Sequence, residues 1–406
     1  MSPEFQFRGG PRLDPAVGLL VSLSTAVVVI PGLSFTLLGV VAVVLLPVTA
    51  IHLREPVGKW FVRGILVWLT SVLVSVILQN TSVMSGGANV TYPLVTLATY
   101  LLLLHLARES PRRLKELCVW VAVGLAAGAI WQPIISTSLS PIKLGAGLGL
   151  AVAAVALASN ARRGALGPAI IVATGVVLLL LDFRSLGLIV ILSVLPNLFG
   201  RVDGRSLRPT HGVALLIAAT GVIWAISGAL QAGWFGSDAK ARFDSQMGSS
   251  AGLIEVARPE IVVSMIALRD SWFTGRGFGA SLDSQEASLA VGTYIQMGLP
   301  LNDVQLERIL GGGINSHSLL FTIWIATGLL GAMGIALVVA HCWRAVGPSA
   351  AYGLVNLTLF AALLVTWDAL FSPWNVRGEV WLGLAGAIAT LSIRAKVHST
   401  VLDRVR

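Results

Sequence analysis

The sequence predicts an all-α integral membrane protein of about twelve transmembrane helices, with one large external loop that contains short helices. Three observations lead to this fold class. Of the 406 residues, 55% are hydrophobic and only 12% are charged, whereas about 25% of the residues in a soluble domain are charged. Apolar runs of about 17 to 25 residues, the length that a spanning helix needs, recur along the chain. One connection between them is too long to be a simple loop.

Apolar runs recur along the chain, so we interpret residues 1–406 as a single polytopic membrane domain. The cuts within the very short stretches "IPGLS" and "LDFRSLG" are the least defined. The predicted spans are 14–31, 33–52, 60–79, 88–107, 115–135, 143–159, 165–181, 184–200, 211–231, 317–341, 350–370 and 378–395.

The basic residues predict the orientation of this array. Lys and Arg total 28 against 19 acids, a formal charge of +9, which suits nucleic acid, a membrane surface or cytoplasmic loops. With both termini cytoplasmic, most of the basic residues fall in short cytoplasmic connections. We therefore expect a multi-pass protein of the cytoplasmic (inner) membrane with no nucleic-acid partner. Lys143, Arg184 and Arg377 break the pattern, and charges at a membrane edge are functional candidates.

The two cysteines limit the chemistry further. Cys118 and Cys342 lie near the ends of apolar segments, which excludes a disulfide framework and a cysteine-based metal site. We interpret both as packing residues. The N-terminal sequence has no small-residue cleavage site, so we expect no cleaved signal peptide.

The predicted external loop, residues 232–316, lies between the ninth and tenth spans. Its stretch "RPEIVVSMIALRDSWF" has Ile261, Met265, Leu268 and Trp272 at the spacing of one helix face. The following "TGRGFGAS" has glycines at every second position, which predicts a tight turn packed close to another backbone. A nucleotide-binding loop is disfavoured, because no strand precedes these glycines and no Walker lysine follows.

Two arginines are candidate anion binders. Arg184 lies between apolar runs, either as a snorkelling side chain paired with Asp182 or as a guanidinium that grips phosphate oxygens. Arg258 begins the predicted loop helix, where free backbone N–H groups also attract anions. The alternative for Arg258 is an ordinary solvated arginine.

His317 opens the tenth apolar segment in "INSHSLLFTIWIATGLLGAMG". A lone histidine at an interface is often a packing residue, but an imidazole that titrates near neutral pH can also act as a general base toward a hydroxyl. Ser316 and Ser318 suit capping or hydrogen bonding, and no acid lies near enough in sequence to suggest a serine triad. No Asp-x-Asp pair is present, so the metal-binding motif of sugar-nucleotide glycosyltransferases is missing.

In this order, "FRSLG", "ARPEIVVSMIALRDSWFTGRGFGAS" and "INSHSLLFTIWIATGLLGAMG" resemble the O-antigen ligase and O-antigen polymerase superfamily. The resemblance covers residues 180–395, while the first half agrees only in being a helical array. Two departures are visible. Phe183 stands where a small polar residue is expected, and Gly187 comes later than the usual glycine.

The resemblance implies a membrane glycosyltransferase of cell-envelope polysaccharide biosynthesis that is inverting, metal-independent and without a cofactor. It would move an oligo- or polysaccharide from a polyprenyl-diphosphate carrier to a hydroxyl of a glycan, glycolipid or protein acceptor, on the periplasmic or extracellular side of the bilayer. Carried over by position, Arg184 and Arg258 would bind the diphosphate and His317 would be the base. Arg276, an additional cation in the glycine-rich turn, would replace or assist Arg258.

Other functions stay open at this point. The motifs are shared by lipopolysaccharide-type ligases and by polymerases that extend a carrier-linked glycan, and the two differ only in the acceptor. A secondary transporter would also suit twelve spans, but it predicts repeats between the two halves, and no such symmetry is evident. A non-enzymatic scaffold would not need Arg184, Arg258 and His317 on one side.

Overall fold

The computed structural model describes most of the helical array. Of the predicted site residues it includes Arg184 and Arg276, whereas Arg258, His317 and Asp182 lie outside the described residues. These are 12–30, 35–78, 83–108, 110–131, 142–159, 165–181, 183–199, scattered positions between 221 and 244, 260–299, 301, 303–311, 314, 318–349, 353–372 and 378–405.

The described chain is almost entirely helical, with one small antiparallel hairpin of β1 (Val28–Ile30) and β2 (Phe35–Thr36). The helices are α1 (Pro15–Ala26), α2 (Leu37–Val44), α3 (Leu46–Thr49), α4 (Lys59–Leu78), α5 (Val83–Ala107), α6 (Pro111–Trp131), α7 (Leu148–Ala158), α8 (Leu166–Leu180), α9 (Arg184–Leu192), α10 (Glu260–Leu268), α11 (Ser284–Gln296), α12 (Asp303–Leu310), α13 (Leu319–Ser349), α14 (Val355–Phe371) and α15 (Gly378–Val405). Ala50–Arg54 and Leu195–Phe199 are 3-10 turns, and Ile142–Gly147 is π-helical.

The apolar helices indicate a membrane-embedded protein, but the prediction of about twelve spans is not confirmed. Within the described residues, three helices are long and apolar enough to cross a membrane: Lys59–Leu78, Val90–Ala107 and Leu319–Ser349. A fourth span results if Leu37–Val44 and Leu46–Arg54, bent by 65°, form one unit. The predicted span 211–231 falls largely outside the described residues.

Several predicted spans are too short as helices, among them α1, α7, α8 and α9. Helix α1 has 12 residues and α9 has 9, which is about 18 and 14 Å at 1.5 Å per residue, against a hydrocarbon core of about 30 Å. The predicted first span, 14–31, instead ends in the β1 strand. The predicted eighth span, 184–200, continues into a 3-10 turn. Apolar composition alone does not show where the backbone leaves the helical conformation.

The bundle is built around the antiparallel pair α4 and α13. A Cβ on Gly64 would lie 2.8 Å from the carbonyl oxygen of Gly334, and a Cβ on Gly334 would lie 2.8 Å from that of Gly64. Small residues at this crossing allow the two backbones to approach closely, as is typical of helix packing in membranes. Helices α14 and α15 cover α13 with largely buried faces. Cys118 and Cys342 are both buried, which confirms their interpretation as packing residues.

Helix ends that the sequence assigns to the cytoplasm lie together in the structure. The Arg344 guanidinium lies 4.6 Å from the centre of the Trp60 ring, and Arg394 forms an ion pair with Glu55 at 3.2 Å. These contacts join the C-terminal part of α13, the start of α4 and the C-terminal half of α15. For these three helices, the structure is therefore consistent with the alternating directions that the basic residues predict. Which membrane face these ends meet stays a prediction.

Helices α10, α11 and α12 form a separate small unit with its own core. Val262 and Val263 of α10 pack with Ala290 and Tyr294 of α11 and with Ile309 of α12. Helix α10 confirms the helix predicted in the external loop, but the predicted apolar face is wrong.

Of that predicted face only Leu268 is buried, whereas Met265 and Trp272 are exposed. Trp272 also lies beyond the end of α10, in the turn that follows Leu268. Val262 and Val263, from the same apolar run, enter the core of the small unit instead. Because every residue from 261 to 263 is apolar, the sequence allows more than one buried face for this helix.

The glycine-rich turn after α10 enters a break in α13. Gly328 leaves the helical conformation, with φ 73° and ψ −168°, and Gly275 also has a positive φ of 73°. A Cβ on Gly328 would lie 2.0 Å from the carbonyl oxygen of Phe273, and a Cβ on Gly275 would lie 2.5 Å from the Gly328 nitrogen. The prediction of a tight turn packed against another backbone is therefore confirmed, and the other backbone is a membrane-crossing helix.

Backbone groups freed by this break are hydrogen-bonded to the turn. The N–H groups of Arg276 and Gly277 donate to Ile325 and Ala326 at 2.6 and 3.0 Å, and the Leu329 N–H donates to Phe273 at 3.1 Å. Irregular backbone at membrane depth is tolerated only where such groups are satisfied within the protein. We call this joint, made of residues 273–277 and 325–329, the loop–helix interlock.

The interlock predicts that Gly328→Ala is destabilising. The Gly328 backbone, at φ 73° and ψ −168°, lies in a region essentially restricted to glycine, which costs another residue about 1–3 kcal/mol, and the methyl group would also collide with the Phe273 carbonyl. We expect a clear drop in the thermal unfolding midpoint of the protein in detergent. The control is Gly347→Ala in the same helix, where no atom lies within 4 Å of an added Cβ and alanine raises helix stability by about 0.5–1 kcal/mol. Equal midpoints for both variants would contradict the proposed strain at the break.

Candidate functional site

Arg184 is held at the N-terminus of α9. The helix begins at Arg184 with Phe183 as its cap, and no side chain caps its first turn. The N–H of Gly187 donates to the Phe183 carbonyl at 2.8 Å. The guanidinium is partly buried and has contacts of its own. The position therefore combines a cation with the free N–H groups of a helix start, both of which favour anions.

The two departures from the family pattern have structural roles here. The Phe183 ring packs against Gly147, where a Cβ would lie 2.7 Å from the ring. Gly187 lets α9 approach α8, because a Cβ there would lie 2.7 Å from the carbonyl oxygen of Gly175. Phe183 and Gly187 thus fix the start of α9 against its neighbours, and with it the backbone of Arg184.

The first turn of α13, directly after His317, is tied to the end of α14. The Ser318 hydroxyl donates to the Ala369 carbonyl at 2.7 Å and accepts from the Phe321 N–H at 3.2 Å. The Leu319 N–H donates to the Ser372 carbonyl at 2.9 Å. Ser318 is therefore a helix cap and a link between two helices, which confirms the capping role predicted for it.

A cavity opens at this junction. Its empty volume, including the open mouth, is about 550 Å³. The walls are mostly aliphatic and aromatic, and the Asp368 carboxyl, hydrogen-bonded by the Ser372 side chain, introduces an acid among them. The described lining residues are Leu148, Leu319, Ile335, Val338, Val365, Asp368, Ala369, Ser372, Gly378, Trp381 and Leu382. We call this space the α13–α14–α15 cavity.

The cavity is lined by one of the predicted site elements and lies near a second. Leu319, in its wall, is two residues after His317 in the sequence. Leu148, also in its wall, follows Gly147, which packs against Phe183 beside Arg184. The start of α13 therefore lines the cavity, and the start of α9 packs against the residue that precedes Leu148. The position of the His317 side chain lies outside the described residues.

Asp368 is a candidate functional residue that sequence reasoning did not single out. Its signal in the sequence is an isolated acid in the apolar stretch "LVTWDALF", and an ionisable residue inside an apolar span is a functional candidate by default. A second polar group lies in the same wall. The indole nitrogen of Trp381 is buried and has no hydrogen-bond partner among the described residues.

Arg276 has a different environment from Arg184. Its guanidinium donates to both carboxylate oxygens of Glu286, and its Nε donates to the Ala267 carbonyl at 2.7 Å and to the Ser271 hydroxyl at 3.1 Å. The Arg276 and Glu286 side chains are only 18% and 5% exposed. Arg276 thus holds the end of α10 against the start of α11. These partners neutralise the cation and give it a structural role, while Arg258 lies outside the described residues.

Glu286 is engaged by its own helix as well as by Arg276. It forms a capping box with Asp283, in which each side chain accepts from the other residue's N–H, at 2.8 and 3.0 Å. The hydrogen bonds from Arg276 hold the pKa of Glu286 below its ordinary value, although burial works in the opposite direction. By contrast, Arg269 forms an ion pair with its neighbour Asp270, at 2.8 Å on the surface.

The site gains no further residues from a metal-binding cluster or from similarity to known proteins. Among the described residues, no three His, Cys, Asp or Glu side chains converge as a metal site would require. No protein-family model matches the chain, and no curated protein matches it.

The buried Arg276–Glu286 pair predicts that Glu286→Gln destabilises the α10–α11–α12 unit. Removing the negative charge of Glu286 leaves the Arg276 cation poorly compensated, which costs about 3 kcal/mol in buried pairs. Glutamine keeps the shape of the capping box. We expect earlier unfolding, followed as increased protease sensitivity of the loop. The control is Asp270→Asn, which removes a carboxylate from a solvent-exposed pair and is expected to change little. Equal sensitivity of the two variants would argue against a structural role for the buried pair.

The same pair predicts a pH dependence. Because the pKa of Glu286 is lowered in the folded state, its contribution is fully present above the ordinary value of 4.5 and is lost as the pH falls through the lowered folded value. The stability difference between the native protein and Glu286→Gln should therefore shrink as the pH drops below about 4.5. Thermal unfolding of both proteins between about pH 3 and about pH 7 tests this, and a stability difference that stays constant over this range would contradict it.

Proposed function

We propose that the protein is a membrane glycosyltransferase of the O-antigen ligase type. It transfers an oligo- or polysaccharide from a polyprenyl-diphosphate carrier to an acceptor hydroxyl, at the periplasmic or extracellular face of the cytoplasmic membrane. The observation that carries this proposal is the apolar α13–α14–α15 cavity with its half-buried acid, lined by the start of α13 after His317 and by Leu148, whose neighbour Gly147 packs against Phe183 beside Arg184.

The donor has two chemically different parts, and the cavity region suits both. A polyprenyl chain needs apolar surface, which the exposed faces of the bundle and the cavity walls offer. A diphosphate needs cations and N–H donors, which Arg184 and the start of α9 combine. Arg258 is the proposed second diphosphate ligand. Arg276 is a weaker candidate, because Glu286 already neutralises it.

The proposed reaction is a single displacement with inversion. His317 takes the proton from the acceptor hydroxyl while the oxygen attacks the anomeric carbon. The bond from that carbon to the diphosphate oxygen breaks, and the polyprenyl diphosphate leaves with the bonding electrons. Arg184 and Arg258 stabilise the negative charge that develops on it. No cofactor takes part in these steps.

Asp368 is the residue that we add to this scheme. Ala369 and Ser372 accept hydrogen bonds from the Ser318 hydroxyl and the Leu319 N–H, so the neighbouring Asp368 belongs to the same junction as the segment that follows His317. An acid there can orient the imidazole or hold the acceptor hydroxyl, in the way that a carboxylate positions a catalytic histidine elsewhere. We therefore assign Asp368 a positioning role.

The function is tested with purified protein, a synthetic polyprenyl-diphosphate oligosaccharide and a chelator. We expect transfer to fall by about 10²–10³-fold in Arg184→Ala, as when one transition-state donor is removed, and by about 10²–10⁴-fold in His317→Ala. Asp368→Asn should also be impaired. The control is Arg269→Ala, whose surface pair with Asp270 lies outside the cavity, and it should keep full activity.

Two outcomes would contradict the assignment. Retained transfer in both Arg184→Ala and His317→Ala would remove its chemical basis, and strict dependence on a divalent ion would contradict the metal-independent mechanism. Thermal unfolding of each variant separates lost chemistry from lost folding. The product separates the two members of the superfamily, because a ligase attaches the glycan once to an anchor whereas a polymerase lengthens it by repeats.

A further inference from the structure

The turn after α10 exposes two large aromatic side chains beside the loop–helix interlock. Trp272 is 52% exposed and Phe273 is 66% exposed, and their rings pack edge to face at 5.6 Å. Their backbone is firmly held, because the Trp272 carbonyl accepts from the Trp324 indole N–H at 2.6 Å and the Phe273 carbonyl accepts from the Leu329 N–H. The two rings therefore project from a fixed backbone rather than from a free loop.

The turn is joined to two helices that are long and apolar enough to cross a membrane, α4 and α13. The Ser75 hydroxyl of α4 donates to the Ala326 carbonyl of α13 at 2.8 Å. The same carbonyl accepts from the Gly277 N–H of the turn. The turn therefore lies at the level of the apolar segments of both helices.

The part of α4 that follows Ser75 in the sequence also exposes aliphatic side chains. Ile77 and Leu78, at the end of α4, are 77% and 75% exposed, as expected for side chains that meet acyl chains. In the opposite direction along the chain, the exposed Arg269–Asp270 ion pair precedes Trp272 by two residues. A step from charge to aromatic to aliphatic surface is the profile of a bilayer interface, where tryptophan is enriched.

We propose that Trp272 and Phe273 form an interfacial docking surface that inserts into the headgroup–acyl boundary of the leaflet that the loop faces. Its occupant is the lipid bilayer. The α10–α11–α12 unit is then anchored twice, by the interlock to α13 and by the two rings to lipid. This inference rests on the depth of the turn and does not depend on the proposed transferase activity. A glycan that stacks on the exposed rings is the alternative, and the test distinguishes it.

Site-directed spin labelling in proteoliposomes tests the proposal. In a background with Cys118→Ala and Cys342→Ala, a label is attached at Phe273→Cys and, separately, at Gln285→Cys, an exposed position in the first turn of α11. We expect the label at 273 to be several-fold more accessible to oxygen, which concentrates in the bilayer, than to a water-soluble nickel chelate. The label at 285 should show the opposite preference.

Two results would overturn the proposal. One is equal access of the nickel chelate to both labels. The other is a label at 273 that the chelate reaches freely and that a soluble oligosaccharide then protects, which would identify a glycan platform. A third label, attached at Trp272→Cys, controls for the case in which the substitution at position 273 disturbs folding. Because the interlock uses the backbone of residues 272 and 273, these side-chain changes keep its hydrogen bonds.

Discussion

The architecture depends on the hydrogen bonds of the loop–helix interlock. A helix that breaks at Gly328 frees backbone carbonyls and N–H groups in the apolar interior, where an unsatisfied group costs several kcal/mol. Arg276 and Gly277 donate to the freed carbonyls, and Phe273 accepts in return. The break in α13 and the turn after α10 therefore satisfy each other's backbone groups.

Arg276 connects the interlock to the interior of the α10–α11–α12 unit. Its N–H donates into α13, while its guanidinium joins the end of α10 to Glu286 at the start of α11. One residue thus transmits the position of the membrane helix to the loop core. This use of the cation also separates Arg276 from Arg184. A guanidinium already bound to a buried carboxylate has little capacity left for a diphosphate, whereas Arg184 stands at the start of helix α9.

The α13–α14–α15 cavity is maintained by backbone bonds at its rim. Ser318 and Leu319 are bonded to the end of α14, so the segment after His317 and the segment around Asp368 move as one unit. The lining is apolar apart from a few polar groups, among them Asp368 and Ser372. An acid surrounded by such walls interacts strongly with any charge or hydroxyl that enters, because little water screens it.

Composition and local pattern were sufficient for some features and not for others. The apolar runs and sparse charge determined that the protein is helical and membrane-embedded, the alternate glycines determined the tight turn, and the Asp-x-x-Glu pattern at Asp283 holds the information for the capping box. These features depend on neighbouring residues and on their preference for water or lipid. The number of spans did not follow, because apolar residues in α1 and α9 suit a short packed helix as well as a spanning one.

Only the tertiary structure decided which residues meet. Asp368 and the start of α13 are about fifty residues apart in sequence, yet backbone hydrogen bonds bring their segments together. The sequence does not show that Glu286 lies beside Arg276 and neutralises it. The buried face of α10 could not be predicted either, because the run that forms this helix is largely apolar. The sequence by itself determined where the chain prefers a membrane and where it turns. Partners distant along the chain were decided by packing, because burial and hydrogen bonding depend on three-dimensional neighbours that local sequence does not contain.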